Sequence, residues 1–278
     1  MANKITFSFG IFFFTFTSTF TCPCFPAFEE KSGSARAAAL GNSFTGLADS
    51  PEAVFFNPAG LAQVKQRQIN TFYTRLFSRP ELTYSSLIFS QPITDRGNLG
   101  FAYNQFGCSL YREKEFILSG SLNLSKYFFL GANLKESRLI QGKDWGTAQT
   151  WRVDVGALLE IIPKLRWGIM INNLNQPRLG GVETIPLNWR TGISYLWFPS
   201  ITSLVDYSQS ANGKSSLHWG QELFFSPLFV LRCGIETNPT RMSLGCGFNL
   251  SCLTLNYAFV EHLLLASQHN FSFQLKWE

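Results

Sequence analysis

From residue 68 to the C-terminus, apolar and polar side chains alternate with a period of two, which is typical of β-strands that bury one face. In the last segment the apolar positions are Phe271, Phe273, Leu275 and Trp277, and polar residues stand between them. The pattern predicts about fourteen strands, to within about two. They lie near residues 68–76, 82–91, 97–106, 114–124, 127–136, 148–160, 164–172, 187–197, 201–209, 215–225, 228–236, 241–249, 251–260 and 268–277.

The links between these segments alternate in length. Short links, several of which contain a proline (Pro92, Pro163, Pro199 and Pro227), alternate with longer polar links such as 137–147 and 173–186. Outer-membrane barrels combine an even number of strands with short periplasmic turns and longer outside loops, whereas soluble sandwiches give no reason for this regularity. The sequence therefore predicts an all-β fold, a transmembrane antiparallel β-barrel over residues 67–278.

Composition agrees with this interpretation. Aromatic residues make up 15% of the 278 residues and charged residues also 15%, against about 25% charged in soluble proteins. The mean hydropathy of +0.03 is too low for a bundle of membrane helices, and after the first residues no apolar run reaches about 18. The net charge of +5 comes without a dense basic run, which argues against a nucleic-acid partner.

The polar face of the predicted strands carries charges that a packed core could not bury without partners. We therefore expect this face to line a wet or plugged lumen, and the aromatic face to meet lipid. The charged positions are Arg152, Asp154, Arg166, Arg190, Glu222, Arg232, Glu236 and Lys276. Trp167, Trp197, Phe225 and Trp277 fall near the predicted periplasmic strand ends, where an aromatic girdle is expected.

Residues 1–24 have the features of a secretory signal peptide, because Lys4 is the only charge before a long apolar run. An uncleaved anchor is the alternative. Export would leave four cysteines, Cys108, Cys233, Cys246 and Cys252, in an oxidising compartment. A cross-strand disulfide between Cys233 and Cys246 and free cysteines that act as small hydrophobes both remain open. Their spacing matches no zinc site, and we predict neither a metal nor a cofactor.

Residues 25–66, here called the hatch, are rich in small residues and carry local helix signals. Ser50 is predicted to cap a helix that starts at Pro51 and ends at Asn57, because Pro58 disfavours helical backbone in the residue before it. So short a segment cannot form a core of its own. It must pack on another part of the chain.

Part of the hatch, residues 34–62, resembles the N-terminal signature of the FadL-type superfamily of outer-membrane barrels. That superfamily includes long-chain fatty-acid transporters and the PorV/PorQ-type proteins linked to type IX secretion. The specific part is Asn57-Pro58-Ala59-Gly60-Leu61 and the Ala-Asp-Ser-Pro-Glu-Ala run at 48–53. The resemblance implies a hatch folded inside the barrel, with Asn57, Pro58 and Ala59 forming a turn against the wall. The amino-acid sequence of this segment is nearer to the PorV/PorQ type, although the chain is shorter than typical members of the superfamily and its outside loops are smaller.

The resemblance favours a passive conduit in the cell outer membrane for hydrophobic or amphipathic small molecules. Arg190, Glu222, Arg232 and Glu236 are then candidates to anchor the hatch or to bind the head group of an amphiphile. With Arg152 they form the predicted lumen or ligand set, and an ordinary salt-bridged lining is the plainer explanation. The expected partners are outer-membrane lipids and a hydrophobic small molecule.

Two other functions stay open. The first is an accessory role in protein secretion or surface attachment, with secretion-system or surface proteins as partners. The second is an outer-membrane lipid hydrolase that uses His218 near Ser215 and Ser216. The sequence contains no serine-hydrolase elbow, paired zinc-binding histidines or phosphate-binding loop, so we do not predict an enzyme and assign no catalytic residue.

Overall fold

The computed structural model describes residues 27–29, 31–142, 146–181, 183–211, 213–263 and 265–278. The predicted signal peptide, residues 1–24, lies outside this range. The hatch contains two short helices, α1 (Ala35–Ala39) and α2 (Ala53–Phe56), followed by a 3-10 helix (Pro58–Gln63). Among the described residues, no helix has the length and apolar character needed to cross a membrane.

Fourteen strands form one closed antiparallel barrel in which each strand pairs with its neighbours along the chain and β1 pairs with the last strand. They are β1 (Arg67–Arg75), β2 (Thr83–Thr94), β3 (Gly97–Gly107), β4 (Tyr111–Ser125), β5 (Phe128–Gln141), β6 (Thr147–Ile162), β7 (Leu165–Asn172), β10 (Asn188–Phe198), β11 (Ile201–Ser210), β12 (Ser215–Phe224), β13 (Phe229–Glu236), β14 (Arg241–Leu250), β15 (Leu253–His262) and β16 (Gln268–Trp277). A small hairpin of β8 (Arg178–Leu179) and β9 (Glu183–Thr184) lies in the loop between β7 and β10. The predicted barrel fold is confirmed.

Most predicted strand ends lie within two residues of the observed ones, and the largest differences on the long-loop side are in β4 and β5. On the side of the long loops, β4 starts at Tyr111 and β5 continues to Gln141. The sequence prediction made both strands too short, because their outward residues there are polar and the apolar alternation stops. Arg138 and Glu136, for example, form an ion pair on the outer surface. The predicted turn at Pro92 is wrong: Pro92 lies inside β2 at a bulge, and the chain turns at 95–96 instead.

The two faces of the strands differ in chemistry as the alternation predicts. Outward side chains are large and apolar, and many are exposed, including Leu99, Phe101, Trp151, Ile193 and Phe273. Inward side chains are polar and buried, including Asn70, Asn133, Arg152, Asp154 and Glu222. Trp167, Trp197 and Phe225 are exposed at the end of the barrel that carries the short turns, and Trp277 stacks on Phe89 at the same end.

The described part of the hatch fills the lumen beside the inner wall. Val54, Leu61 and Val64 pack on Ile88 and Ile117 of the wall. A second cluster joins α1 to β1, β2 and β15 through residues that include Ala35, Ala39, Phe72, Tyr84 and Ala258. Apolar burial therefore fixes the hatch on two sides of the barrel.

Inward glycines allow the hatch backbone to touch the wall. A Cβ at Gly131 would collide with the backbone of Pro58 and Ala59, and one at Gly245 would lie 2.5 Å from the Cβ of Ala39. A side chain at either position would crowd the hatch.

Cys108, Cys233, Cys246 and Cys252 form no disulfide bond in the structure. Cys233 stands opposite Leu244, and Cys246 stands opposite Leu231, so the two are offset across the β13–β14 ladder. The structure thus corresponds to the alternative in which these cysteines act as small hydrophobic side chains.

Candidate functional site

The hatch begins with a capped helix that is tied to the rest of the lumen. The Ser34 hydroxyl accepts hydrogen bonds from the backbone N–H groups of Arg36 (3.1 Å) and Ala37 (3.3 Å), which satisfies two free donors of α1. The same hydroxyl donates to Glu52 Oε1 at 3.0 Å, and Asn70 Nδ2 of β1 donates to that oxygen at 2.6 Å. One buried carboxylate therefore joins the starts of α1 and α2 to β1 of the wall.

The predicted cap of the second helix is wrong. Glu52, not Ser50, precedes the first residue of α2, because residues 50–52 form a separate turn. The helix does end at Asn57, where the backbone becomes extended before Pro58, as predicted.

An ion-pair cluster holds α1 against β12 and β13. The Arg36 guanidinium contacts Asp49 at 2.7 Å and Glu222 at 2.8 Å, and its Nε also donates to Glu222 at 2.9 Å. Arg232 Nε donates to the same carboxylate at 2.7 Å, and its Nη1 donates to Asn256 at 2.9 Å. Two cations and two anions therefore balance, which offsets much of the cost of burying each charge. We call this set, Arg36, Asp49, Glu222 and Arg232, the anchor cluster.

The charge of Arg36 is fixed by this setting. Burial disfavours the charged guanidinium, but the carboxylates of Asp49 and Glu222 outweigh it and hold the pKa of Arg36 well above its ordinary value. The hatch therefore carries a permanent cation into the lumen.

Arg190 and Glu236 bind the hatch at a neighbouring point. Arg190 Nη1 donates to the carbonyl oxygen of Asn42 at 3.2 Å. Asn42 Nδ2 donates to Glu236 Oε2 at 3.0 Å. Four of the five predicted lumen residues, Arg190, Glu222, Arg232 and Glu236, thus surround residues 36–42 of the hatch.

Asp206 and His218 hold the turn that follows. Asp206 Oδ2 accepts from the backbone N–H groups of Phe44 and Thr45, both at 2.9 Å. The His218 ring lies 2.8 Å from the carbonyl oxygen of Gly41. Both side chains are buried on the inner wall and position backbone atoms of the hatch.

The hydroxyl that His218 contacts belongs to Ser208 and not to the predicted Ser215 or Ser216. The other ring nitrogen of His218 lies 3.1 Å from Ser208 Oγ, while the Ser216 hydroxyl donates to the carbonyl oxygen of Thr237. The imidazole faces the lumen, away from the outer surface where a lipid would be met.

Arg152, the fifth predicted lumen residue, lies in a different cluster. Its guanidinium pairs with Glu115 and donates to Ser137 at 2.9 Å and Asn173 at 3.2 Å. It also stands 5.2 Å from the ring centroid of Phe28. The structure thus separates Arg152 from the other four.

The Asn57-Pro58-Ala59-Gly60 motif makes the turn that the resemblance implies. Asn57 Oδ1 accepts from Ala59 N at 3.2 Å, and its Nδ2 donates to the carbonyl oxygens of Thr45 (3.1 Å) and Ala157 (2.9 Å). One amide side chain therefore caps the 3-10 helix, braces the hatch and binds β6. Gly60 leaves room for Ala48, which a Cβ there would strike.

Two asparagines of the wall, which the sequence reasoning missed, play a similar role. Asn98 Nδ2 donates to the carbonyl oxygen of Val64 at 2.6 Å, and Asn133 Nδ2 donates to that of Val54 at 2.9 Å. Arg36 and Asp206 were missed as well. For Arg36 a signal existed, since it is the only charge between residues 34 and 48.

Above the hatch, on the side of the long loops, lies a cavity of about 490 Å³ that we call the vestibule. Its lining is amphipathic. Apolar residues include Phe55, Phe56, Tyr84, Phe106 and Val260, and charged residues include Lys31, Glu113, Arg190, Glu236 and Arg241. Lys31 pairs with Glu113 at 2.7 Å and stands 4.2 Å above the Phe106 ring. Ala38, Asn42 and Phe55 of the hatch contribute to this lining.

Among the described residues, no group of three histidine, cysteine, aspartate or glutamate side chains could hold a metal ion. The polar groups of the lumen instead bind one another and the hatch.

The sequence matches no model of a known protein family, and no curated protein matches it. Solved structures do match. The toluene transporter TbuX of Ralstonia pickettii is 12% identical, with a TM-score of 0.70 over 90% of this chain and 100% of its own. The toluene transporter TodX of Pseudomonas putida is 10% identical, with a TM-score of 0.69 over 90% and 98%.

A FadL homologue of Pseudomonas aeruginosa is 12% identical, with a TM-score of 0.61 over 88% of this chain and 97% of its own. At such identities the likeness concerns the fold. A barrel of this type, with an apolar outer surface, indicates the bacterial outer membrane, so the short turns face the periplasm. The chain has the FadL-type fold, a closed antiparallel barrel of 14 strands with short N-terminal helical pieces.

Proposed function

We propose that this protein is a passive conduit for small hydrophobic or amphipathic molecules across the outer membrane. The observation that carries the proposal is an amphipathic vestibule, open towards the long loops, whose lining includes hatch residues. Its volume of about 490 Å³ falls within the roughly 300–1,000 Å³ of small-molecule sites.

The lining defines the ligand class. Aromatic rings such as Phe55 and Phe106 would contact an apolar body, while Lys31 and Arg241 would meet a small polar or anionic end. Two of the proteins with this fold are toluene transporters, and a third, CymD, is a monoaromatic hydrocarbon channel. Those ligands support an apolar substrate here.

Passage requires the hatch to move, because its helices fill the lumen below the vestibule. The contacts that resist this movement include the anchor cluster, the apolar clusters and single side-chain hydrogen bonds from Asn57, Asn98 and Asn133. Each hydrogen bond is worth about 0.5–1.5 kcal/mol net, so local shifts of the hatch are accessible without unfolding the barrel.

Uptake into liposomes tests the proposal. Vesicles containing the purified barrel should take up labelled toluene or a labelled long-chain fatty acid faster than empty vesicles. Ser32→Trp, which places a bulky ring in the vestibule lining, should reduce uptake. Ser85→Trp on the lipid-facing side of β2 is the matched control and should not. Uptake equal to that of empty vesicles would refute the conduit.

A role in secretion or surface attachment remains the alternative. The longest link between barrel strands runs over residues 173–187, which offers little surface for a large partner and favours the conduit. Purification from native outer membranes tests this alternative. Recovery together with secreted or surface proteins in stoichiometric amounts would support it.

A further inference from the structure

The outer wall of the barrel contains an apolar groove of about 680 Å³ near the periplasmic turns, across β2 to β6. We call it the wall groove. Its outward-facing lining residues are Ile93, Gly97, Leu99, Gly120, Leu122, Leu130, Ala132 and Val155.

The groove is built from large side chains around small ones. Leu99, Leu122 and Ile93 are 48%, 56% and 54% exposed and form its sides. Gly120 lies between them, and a Cβ added there would meet only Leu99 Cδ2, at 3.9 Å. The depression is therefore open space on the lipid side of an intact wall, and it is not a gap between strands, because β2 to β6 are paired throughout this region.

Exposed cations lie in the periplasmic turns that join the same strands. Each of the first three periplasmic turns carries an exposed cation, namely Arg96, Lys126 and Lys164. Asp95 is the one acidic residue in those turns. The other three turns, residues 199–200, 225–228 and 251–252, contain no charged residue.

The backbone holds two of these cations close to the groove strands. The carbonyl oxygen of Arg96 accepts from Asn123 N of β4 at 2.6 Å. Tyr127, next to Lys126, accepts from Glu160 N of β6 at 2.8 Å. Tyr127 is 45% exposed, and its ring lies 5.3 Å from the Lys126 ammonium. Interfacial aromatics of this kind mark the depth of the lipid head groups.

We propose that the wall groove binds one phospholipid of the periplasmic leaflet, with an acyl chain along the groove and the phosphate against Arg96 and Lys126. The apolar lining matches the chain, and the cations match the anionic head group. A transported hydrocarbon or fatty acid explains the groove but leaves the one-sided distribution of the turn cations without a role.

A second outer groove supplies an internal comparison. It measures about 350 Å³ and is lined by residues that include Thr71, Phe248, Leu255, Phe271 and Phe273. The periplasmic turn beside it, Ser251-Cys252, carries no charge. Lys65 and Arg67 are exposed at the periplasmic start of β1 on this side, so the second groove differs from the wall groove in its smaller volume and in having no cation in its turn.

Native mass spectrometry of the full-length barrel tests the proposal. The probes are dioleoyl phosphatidylglycerol and dioleoylglycerol, which share their chains and differ in the phosphate-bearing head group. We expect one phosphatidylglycerol to stay bound to the wild type. Gly120→Phe, which fills the groove, should lower its retention about tenfold, because losing the burial of about two methylenes is enough for that change. Thr71→Phe in the second groove is the matched control and should leave retention unchanged.

The double variant Arg96→Gln, Lys126→Gln should bind both lipids equally and so lose the preference for phosphatidylglycerol. Heat-dependent mobility in SDS gels verifies that each variant is folded. Equal phosphatidylglycerol retention by Gly120→Phe and wild type would overturn the proposal. The proposal would also be overturned if the wild type retained labelled fatty acid but no phosphatidylglycerol, and if Gly120→Phe abolished that retention of fatty acid. Uptake by the conduit is measured separately, so failure of either proposal leaves the other standing.

Discussion

Glu222 of β12 links two guanidinium groups that come from distant parts of the chain. Arg36 lies 186 residues away and Arg232 lies ten residues away. The side chains of Glu222 and Arg232 are nearly inaccessible to solvent, and that of Arg36 is 14% exposed. Removing one partner of such a cluster costs far more than a surface pair contributes, because the remaining charges stay buried without compensation.

We therefore expect Glu222→Gln to loosen the hatch. Hydrogen exchange of the amides in residues 35–41 should accelerate about 100-fold or more, since breaking a buried ion pair costs about 3–5 kcal/mol. Mass spectrometry of exchanged peptides measures this. Glu81→Gln, at an exposed carboxylate outside the barrel, is the control. A change of less than about fivefold in Glu222→Gln would show that the anchor cluster does not hold the hatch.

Two glycines on neighbouring strands provide a matched pair of substitutions. Gly131 faces the hatch backbone, whereas Gly120 faces lipid and has space around it. Gly131→Ala should lower the free energy of unfolding by about 1–3 kcal/mol through overpacking, and Gly120→Ala should leave it unchanged or raise it. Urea unfolding in detergent, monitored by tryptophan fluorescence, measures the free energy of unfolding of each variant. Equal effects of the two substitutions would mean that the hatch does not press on the wall at Gly131.

At this scale the sequence predicts which charges face the lumen but not what they bind. Alternation alone places Arg190, Glu222 and Arg232 on the inner face. The hatch partners of Arg190 and Glu222 are 148 and 186 residues away and carry no periodic signal. Asp206 was missed for the same reason, because it binds backbone N–H groups, which every residue except proline possesses.

The hatch is an element without a regular pattern, and single side chains set its position. Asn57 makes three hydrogen bonds that join the 3-10 helix, the preceding turn and β6. The resemblance to a known signature located this residue, whereas periodicity could not. The strands, in contrast, were predictable because their outer face must be apolar along the whole membrane span.

Asn57→Ala should make the hatch leaky. The substitution removes two donated hydrogen bonds and one cap, each worth about 0.5–1.5 kcal/mol. Planar-bilayer recordings should then show brief openings that are rarer in the wild type. Asn249→Ala serves as the control, because the side chain of Asn249, beside a periplasmic turn, bonds only wall residues, namely the carbonyl oxygen of Pro227 at 3.5 Å and the hydroxyl of Thr254 at 3.2 Å, among its described contacts. Identical recordings for both variants would argue against a bracing role for Asn57.

Elements that lacked a pattern were also those predicted wrongly. The hairpin of β8 and β9 has two residues in each strand, too few to show alternation. The prediction that Ser50 caps α2 was wrong. The turn before this helix is set by Glu52, whose carboxylate accepts hydrogen bonds from Ser34 and Asn70. In the hatch, tertiary contacts overrode the local preference of the sequence, whereas in the strands no tertiary contact opposed it.

On the scale of the whole molecule, the barrel and the hatch are separable units. The hydrogen-bond ladder closes between β1 and β16 without any hatch residue, and the hatch enters only through the inner face. Barrels of 16–18 strands leave an aqueous channel when nothing fills them, and 14 strands should leave a narrower one.

Deletion of residues 31–62 should therefore leave a folded but open barrel. Bilayer recordings should show large steady conductance where the wild type shows little, and heat-dependent mobility in SDS gels should persist. Glu222 and Arg232 still pair with each other after the deletion, which limits the loss of stability. An unchanged conductance would mean that the hatch does not block the lumen, and loss of the folded band would mean that the barrel depends on it.

The strands of the barrel differ in length in a way that gives the vestibule a direction. β4, β5 and β6 have 15, 14 and 16 residues, whereas β12 to β16 have 8 to 10. At about 3.3 Å per residue, one side of the rim stands well above the other. If the protein is the proposed conduit, a molecule dissolved in the outer leaflet would meet its lowest barrier across β12 to β16. Ser267→Trp on that low rim should therefore slow uptake more than Thr147→Trp on the high rim. This result would mean that the entrance opens sideways, towards the membrane as well as towards water.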